Sequence, residues 1–408
     1  MDEEPPSRLA PATAPGPLHV LIYEPAVEGH HVFYLKFVAE DLLSAGYRLT
    51  LAIDTRAKPY GRIRAQLGDV LNDVKVVGAR DEAGRLVGGG KIASISAMLA
   101  QSGADIVFLN NFDAIGSALM RRAAIGLMPP ATLRGRLSGI YHRPRFLART
   151  KGSLNLWLKA LGFWRLMQNG WFSHLLLVDP YLHADVKAKH PKAPLFFLPD
   201  PCPADFVADR AEARRLFGLP GDKRVFLFYG GGYRRKGLHL VIDAMLALPP
   251  DTKAFLLCAG QQAHDAVVKA GLDRLIDRGR AKVIDRYVTA KEEKQLFAAS
   301  DVVLLPYRRH FGISSILIRA VGAGVPVIAS DEELLGRLVR EQNLGLLFRS
   351  GDAVALRCAI DQAANASAEQ IAAWRAAMHL RAPSWSQQAA REALVDAFRY
   401  VAPPPQYW

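Results

Sequence analysis

Two glycine-rich turns with basic side chains are the stretches of this sequence best suited to chemistry on an anion. One reads Gly-Gly-Gly-Tyr-Arg-Arg-Lys-Gly over residues 230–237, between a predicted strand and a predicted helix. The other runs from Arg308 to Ser315, where two serines open a helix. Glycine lets backbone approach a ligand, basic side chains donate charge-assisted hydrogen bonds, and a helix N-terminus presents free N–H groups. Because both turns follow parallel strands of one predicted sheet, we expect them to face one diphosphate.

Each turn also has an ordinary structural interpretation. The first reads equally as a βα turn with solvated arginines, and the second as a helix with a serine N-cap. The spacing of a Walker phosphate loop, G-x4-G-K-[ST], is absent from the first turn. Together the two turns favour a diphosphate site more than either does alone.

The elements that position these turns are short apolar runs alternating with helical segments. This alternation is typical of an α/β protein with open parallel sheets, which bind ligands at the carboxyl ends of their strands. The predicted strands are 18–23, 47–53, 105–109, 137–141, 174–178, 195–198, 224–229, 253–258, 281–284, 302–305, 325–329 and 344–348. Polar side chains follow several of them, including Asn110, Asn111 and His142.

The length of 408 residues predicts two domains. Residues 1–17 are acidic and then rich in proline and alanine, which predicts a disordered tail. We place one Rossmann-like domain at residues 18–200 and a second at residues 201–383, joined near the proline-dense run Pro199–Pro203. A last helix is predicted from Trp385 to Tyr400, within residues 384–408.

The overall charge favours acidic partners. The chain has a formal net charge of +13, which suits nucleotide phosphates, anionic lipid or an acidic glycan. No nucleic-acid-binding motif accompanies this charge, so no nucleic-acid partner is predicted. The three cysteines lie far apart, which predicts neither a disulfide framework nor a metal site. No apolar run is long enough to cross a membrane, and we expect a cytoplasmic protein.

A segment rich in aromatic residues, 151–172, has two interpretations. As a basic amphipathic helix it fits peripheral contact with an anionic membrane, at the inner face of that membrane. As an ordinary helix it packs on the face of the first sheet.

The order of the motifs in the second half resembles the family-four glycosyltransferases of the GT-B fold. The matching stretches are Lys236-Gly237, the strand and proline at residues 300–306, and the run RAVGAGVPVIAS at residues 319–330. The resemblance implies an α/β protein of GT-B fold, with two Rossmann-like doubly wound domains facing across a cleft. It implies that the first domain binds the acceptor and the second the nucleotide sugar, and that the last helix crosses back to the first domain. It implies transfer of a sugar from a nucleoside-diphosphate sugar, as co-substrate, to a glycan or lipid-linked saccharide. Retention of configuration, no other cofactor and no metal are also implied.

The resemblance assigns roles to individual residues. The donor diphosphate is assigned to Gly231, Gly232, Arg235, Lys236, Gly312, Ile313, Ser314 and Ser315. The nucleoside is assigned to Tyr287, Val288 and Arg319, and the acceptor to Gly29 and His31. Asn110 and Asn111, at a strand end, are either further acceptor contacts or turn and N-cap residues. The histidines His142 and His30 are the candidate catalytic residues.

Two positions depart from the family pattern. The family has a glutamate before the glycine turn and another at the start of the following helix, where this chain has Phe311 and Arg319. The second glutamate usually holds the donor ribose, and arginine cannot accept those hydroxyl hydrogens. A divergent glycosyltransferase is the main interpretation. The alternative from another class is a degenerate GT-B module that binds nucleotide or glycan without turnover. A sugar-nucleotide epimerase of the same fold is a rival enzyme, but no obvious set of carboxylates supports it.

Overall fold

The computed structural model describes residues 17–27, 31–148, 153–203, 206–262 and 265–401. The predicted tail, apart from Pro17, lies outside the described residues, as do Gly29 and His30. The described residues form two sheets with helices between successive strands, which confirms the predicted α/β class.

The first sheet has seven strands in the order β3-β2-β1-β4-β5-β6-β7. Its strands are β1 His19–Glu24, β2 Arg48–Ile53, β3 Lys75–Gly78, β4 Ile106–Leu109, β5 Leu137–Tyr141, β6 Leu175–Leu177 and β7 Leu195–Phe197. The pairings from β3 to β5 are parallel. The strand order reverses between β1 and β4, so the loops after these two strands border a crevice at the carboxyl edge.

The second sheet has six strands in the order β10-β9-β8-β11-β12-β13, all paired in parallel. Its strands are β8 Arg224–Tyr229, β9 Ala254–Ala259, β10 Ala281–Ile284, β11 Val302–Leu305, β12 Val327–Ser330 and β13 Gly345–Phe348. Here the order reverses between β8 and β11. The two basic turns follow these neighbouring strands, so both lie at the crevice where such sheets bind ligands.

Sixteen α-helices connect and cover the strands in the described part of the chain. Their bounds are α1 His31–Ser44, α2 Ala57–Leu67, α3 Lys91–Ser102, α4 Asp113–Ala124, α5 Arg145–Ala148, α6 Leu154–Gln168, α7 Pro180–Lys189, α8 Arg210–Leu216, α9 Leu238–Leu246, α10 Ala266–Asp277, α11 Ala290–Ala299, α12 Ser315–Gly322, α13 Glu333–Glu341, α14 Ala353–Ala364, α15 Ala368–Arg381 and α16 Gln387–Arg399. No helix among the described residues is both long enough and apolar enough to span a membrane.

Successive side chains along the strands of the second sheet point to opposite faces, and a hydrophobic core lies on each face. Val225, Leu227 and Val303 pack with α11, α12 and α13 on one face. Phe226 and Leu304 pack with α9, α10 and α14 on the other. Burial on both faces explains why these strands read as continuous apolar runs in the sequence.

The chain divides into two compact units. The first unit comprises residues 1–140, 152–175 and 397–408, and the second comprises residues 141–151 and 176–396. The predicted domain boundary at residue 200 therefore falls inside the second unit. The last helix, α16, ends in the first unit, where the Phe398 ring lies 5.4 Å from that of Tyr47 and 4.6 Å from that of His174. The assignment of acceptor and donor to separate domains stays a prediction.

The aromatic segment forms α6, which packs closely against α4 in the first unit. A β-carbon added to Gly162 would collide with the backbone of Met120, so glycine permits this approach. Phe163 and Leu166 are buried there, whereas the Trp157 side chain is exposed. This contact is with α4, whereas the packed-helix interpretation expected the face of the first sheet. Membrane contact stays a prediction.

Candidate functional site

The first basic turn brings the Lys236 ammonium against the end of strand β8. A short 3-10 helix, Arg234–Lys236, returns the chain towards Gly230, where an added β-carbon would collide with Lys236 Nζ. Gly237 follows with φ 75°, and a β-carbon there would collide with the carbonyl oxygen of Pro306. The two glycines therefore allow the turn to close and hold a lysine at the carboxyl edge of the sheet.

The electrostatic setting of Lys236 is unusual for a lysine. Burial, and then the nearby charges of Arg235 and Arg319, lower the pKa of its ammonium to about 8. A cation held among other cations gains from a negative partner, because an opposite charge relieves both the repulsion and the desolvation. This setting fits a site for an anion.

A cavity of about 310 Å³ opens beside Lys236 and lies entirely within the second unit. Three of the predicted nucleoside-binding residues line it, namely Tyr287, Val288 and Arg319. Val288 is buried, but the Tyr287 ring is 82% exposed at the rim. An exposed ring beside a polar cavity can stack on a planar base.

A carboxylate that sequence reasoning missed also lines the cavity. Glu293 of α11 faces Arg319 of α12, with Oε1 2.7 Å from Nε, and both side chains are mostly buried. Arg319 also donates from Nη1 to the Ser315 carbonyl oxygen at 3.1 Å. Burial and then Glu293, which accepts a hydrogen bond from Tyr229, raise the pKa of Tyr229. A carboxylate has about four acceptor sites, so Glu293 has capacity beyond these two neighbours.

Because of this ion pair, the cavity contains a glutamate although the family glutamate is replaced by Arg319. The resemblance places a glutamate where α12 carries Arg319, and the structure places a glutamate opposite it on α11. The sequence around Glu293, Lys-Glu-Glu-Lys, has the pattern of a solvated helix face. Glu293 points into the cavity only because α11 packs beside α12.

The second basic turn is joined to the first by direct hydrogen bonds. Arg308 donates its backbone N–H to the carbonyl oxygen of Arg235 at 2.9 Å. His310 Nδ1 lies 3.2 Å from Arg235 Nη1, and its Nε2 lies 3.3 Å from the Ile313 carbonyl oxygen. Burial and then Arg235 lower the pKa of His310 to about 4. Neutral His310 therefore accepts from Arg235, donates to Ile313, and couples the two turns.

The two serines of the second turn have different roles. Ser314 is the N-cap of α12: its buried hydroxyl accepts from the Leu317 N–H at 3.3 Å and donates to Tyr307 Oη at 3.4 Å. Ser315 begins the helix and is exposed. Of the two hydroxyls predicted near the diphosphate, that of Ser315 is the accessible one.

Apart from Lys236, all of the predicted diphosphate residues lie outside the lining of this cavity. Gly312, Ile313 and Ser315 lie beside the N-terminus of α12 but not in the cavity wall. The remaining predicted residues outside the wall are Gly231, Gly232, Arg235 and Ser314. Their roles stay predictions, supported by their place at the two coupled turns.

The segment after β5 borders the second turn within the second unit. A β-carbon built on Gly312 would lie 3.8 Å from both the His142 carbonyl oxygen and Arg143 Cγ. The Arg145 guanidinium lies 3.4 Å from the centre of the Phe311 ring. Phe311, which stands at the first missing family acid, is therefore covered by a cation. His142 is half-buried beside this turn.

Two of the predicted acceptor residues, His31 and Asn110, lie in a hydrogen-bonded network at the ends of β1 and β4. The Asn110 amide donates to Glu24 Oε2 at 2.9 Å and to the His31 carbonyl oxygen at 3.0 Å. His31 Nδ1 lies 2.8 Å from the same Glu24 oxygen. Because Asn110 is only 1% exposed, its amide positions Glu24 and His31. Asn111 is half-buried next to it.

The match to a known sequence family falls on the second half of the chain. Residues 209–377 match the family described as Glycosyl transferases group 1. The chain is 28% identical to a D-inositol 3-phosphate glycosyltransferase of Corynebacterium urealyticum, over 48% of this chain and 47% of that protein. It is 28% identical to the lipopolysaccharide core biosynthesis mannosyltransferase LpsB of Rhizobium meliloti, over 38% of this chain and 45% of that protein. The chain thus spans about half the length of the curated relatives it matches.

Solved structures match the whole fold. Anabaena Alr3699/HepE, crystallised in complex with UDP, aligns with a TM-score of 0.68 at 14% identity, over 94% of this chain and all of that chain. The sucrose-phosphate synthase of Thermosynechococcus elongatus aligns with a TM-score of 0.66 at 16% identity, over 94% of this chain and 98% of that chain. These alignments confirm the predicted GT-B fold.

Proposed function

We propose that this chain, whose residues 209–377 match the group 1 glycosyltransferases, transfers a sugar from a nucleoside-diphosphate sugar to a glycan or lipid-linked saccharide. The motif order predicts this family, and the match over those residues supports it. The observation that carries the proposed reaction is the half-buried Lys236 ammonium, held against Gly230 at the switch point of the second sheet and beside a cavity with polar walls.

The diphosphate of the donor is proposed to bind between Lys236 and the N-terminus of α12. Cleavage of the glycosidic bond leaves negative charge on the departing nucleoside diphosphate. Lys236 would neutralise that charge, and the free N–H groups near Ser315 would stabilise it further. The hydrogen bonds joining the two turns support this geometry, because they hold both groups in place before the donor binds.

The nucleoside is proposed to occupy the cavity itself. The Tyr287 ring at the rim would stack on the base, and Val288 would pack beneath it. Glu293 would accept hydrogen bonds from the ribose hydroxyls, which is the task that the family gives to an acid at the position of Arg319. UDP in the Anabaena relative supports a uridine nucleotide as the first ligand to try.

The remaining assignments belong to the same proposal. His142 is proposed to contact the transferred sugar, since its segment borders Gly312. We propose retention of configuration and no metal, following the family resemblance. The names of the two curated relatives support a phosphorylated or lipid-linked saccharide as acceptor.

The test is release of nucleoside diphosphate from UDP-, GDP-, dTDP- and ADP-sugars in the presence of a saccharide acceptor. Lys236→Ala is expected to abolish most turnover. Lys253→Ala is the matched control, because Lys253 is exposed next to the amino end of β9, at the opposite edge of the sheet. Equal activity in both variants would contradict the role of Lys236.

A non-catalytic GT-B module is the second candidate, and it is favoured by Phe311 and Arg319 at the two acidic positions of the family. It predicts binding of a nucleotide sugar, seen as a thermal shift, without release of nucleoside diphosphate from any donor. Turnover with one donor excludes it.

A further inference from the structure

A second cavity, of about 650 Å³, lies in the first unit at the carboxyl edge of its sheet. It is bordered by the loop after β1, by the loop after β2 and by α2, and Arg80 follows β3. Its walls include His31, one of the predicted acceptor residues. The volume is that of a small-molecule site, larger than a bound ion needs.

The charge of this second cavity is strongly positive. Among the described residues, four cationic side chains line it, Arg56, Lys58, Arg62 and Arg80, against the single carboxylate Asp54. Within this described lining, the cations outnumber the acid by three charges. A cavity lined by one sign of charge attracts ligands of the opposite sign.

Two of the arginines are fixed in place. Arg56 donates from Nε and Nη2 to the two oxygens of Asp54, at 2.9 and 2.7 Å. Arg80 donates from Nε to the Pro25 carbonyl oxygen at 3.1 Å and from Nη1 to the Gly84 carbonyl oxygen at 2.6 Å. The hydrogen bond from Arg56 is the main cause that lowers the pKa of Asp54, so this carboxylate stays ionised as a clamp.

The other two cations, Lys58 and Arg62, have no ion-pair partner within the described part of the chain. Lys58 and Arg62 stand four residues apart on α2, both exposed, where like charges repel each other. Within the described residues no carboxylate lies within ion-pair distance of either. An anion in the cavity would relieve this repulsion while the fixed arginines supply further donors.

We propose that this cavity binds the phosphate group of a phosphorylated saccharide. Arginine matches phosphate with two parallel hydrogen bonds, and lysine adds a mobile point charge. The room beyond the phosphate accommodates the sugar. That this ligand is the acceptor rests on the proposed function, whereas the binding itself does not.

The test is isothermal titration of the full chain with glucose 6-phosphate, inorganic phosphate and glucose at matched ionic strength. Glucose 6-phosphate is expected to bind most tightly and glucose not at all. Arg62→Ala is expected to weaken glucose 6-phosphate at least about tenfold, the size of one lost charge-assisted hydrogen bond. Arg64→Ala is the matched control, on the same helix but outside the cavity.

Several results would overturn the proposal. If the Arg62 and Arg64 variants lose affinity for glucose 6-phosphate equally, the binding depends on general surface charge and not on this cavity. Binding of glucose as tightly as glucose 6-phosphate would exclude the phosphate site, and binding of inorganic phosphate alone would exclude the saccharide. A thermal shift with UDP, measured on the same variants, reports folding and donor binding separately. If the wild-type chain shows no thermal shift with UDP, that result counts against the proposed function and not against this cavity.

Discussion

At the scale of single residues, Lys236 is notable for the position of its ammonium beside Gly230 and for its lowered pKa. Its ammonium rests where only glycine at position 230 leaves room, and its pKa of about 8 places its titration close to physiological pH. Burial and the nearby charges of Arg235 and Arg319 lower that pKa. Titration of Lys236 therefore changes the charge of the site near neutral pH.

We predict that nucleotide affinity falls as pH rises through 8. The protonated lysine attracts the diphosphate and the neutral amine does not, so binding is strongest below this pKa and weakens above it. Affinity for UDP should drop about tenfold between pH 7 and 9, following the protonated fraction. Titration calorimetry across this range measures the profile. Lys236→Arg keeps its charge and should give a flat profile, and a wild-type profile equally flat would contradict the assignment.

Glu293 provides the second prediction at this scale. If its carboxylate accepts the ribose 2′-hydroxyl hydrogen, wild-type protein should bind UDP more tightly than 2′-deoxy-UDP. Glu293→Gln should reduce that preference towards equality, because the amide accepts more weakly. A purely structural role for Glu293 would weaken both nucleotides alike, so the ratio separates the two explanations.

A matched control exists in Glu341, which also pairs an Oε1 atom with an arginine Nε, at 2.9 Å from Arg337, but on the exposed surface of α13. Glu341→Gln should leave the ratio of UDP to 2′-deoxy-UDP affinities unchanged, since exposed ion pairs contribute little. An equal change in the Glu293 and Glu341 variants would contradict the ribose contact.

At the scale of elements, α12 depends on two adjacent serines with separate tasks. Ser314→Ala removes the N-cap and should lower the free energy of unfolding by about 1 kcal/mol. Ser315→Ala should leave stability nearly unchanged but weaken UDP binding several-fold, since its hydroxyl is the accessible one at the proposed diphosphate site. Urea denaturation and calorimetry measure the two effects. The reverse pattern would show that the roles of the serines are exchanged.

Sequence patterns predicted most strands of both sheets, because doubly buried parallel strands are continuous apolar runs. The strand β3, Lys75–Gly78, was missed, since it is a short edge strand with a half-exposed pattern. The last helix was predicted from Trp385, but Trp385 ends a 3-10 turn and α16 begins at Gln387. Ser386 between them has extended backbone, which propensity alone does not reveal.

The candidate site was predictable only where its residues are local in sequence. Lys236 and its glycines form one turn, so their spacing already indicated an anion site. Glu293 belongs to a different helix from Arg319, and its burial depends on how α11 and α12 pack. Likewise, the four cations of the second cavity come from a helix and from two loops. Spacing along the chain contains no signal for such an assembly.

At the scale of the whole molecule, the two cavities repeat one architectural rule in two sheets. Each lies at the carboxyl edge of a parallel sheet, where side chains from several loops converge. One is built from residues 229–319 and the other from residues 25–80, so they share no residue. Their contributions to binding should therefore be independent, unlike those of groups within one network.

This independence gives the last prediction. In steady-state kinetics with a phosphorylated acceptor, Lys236→Ala should impair use of the donor and Arg62→Ala should raise KM for the acceptor. The double variant should lose the product of the two single losses in kcat/KM, because two sites that share no residue and bind different ligands contribute additively to the free energy. Arg64→Ala combined with Lys236→Ala is the control and should match Lys236→Ala alone. A double variant no worse than the poorer single variant would mean that both residues act on one ligand, and the division of donor and acceptor between the two cavities would be wrong.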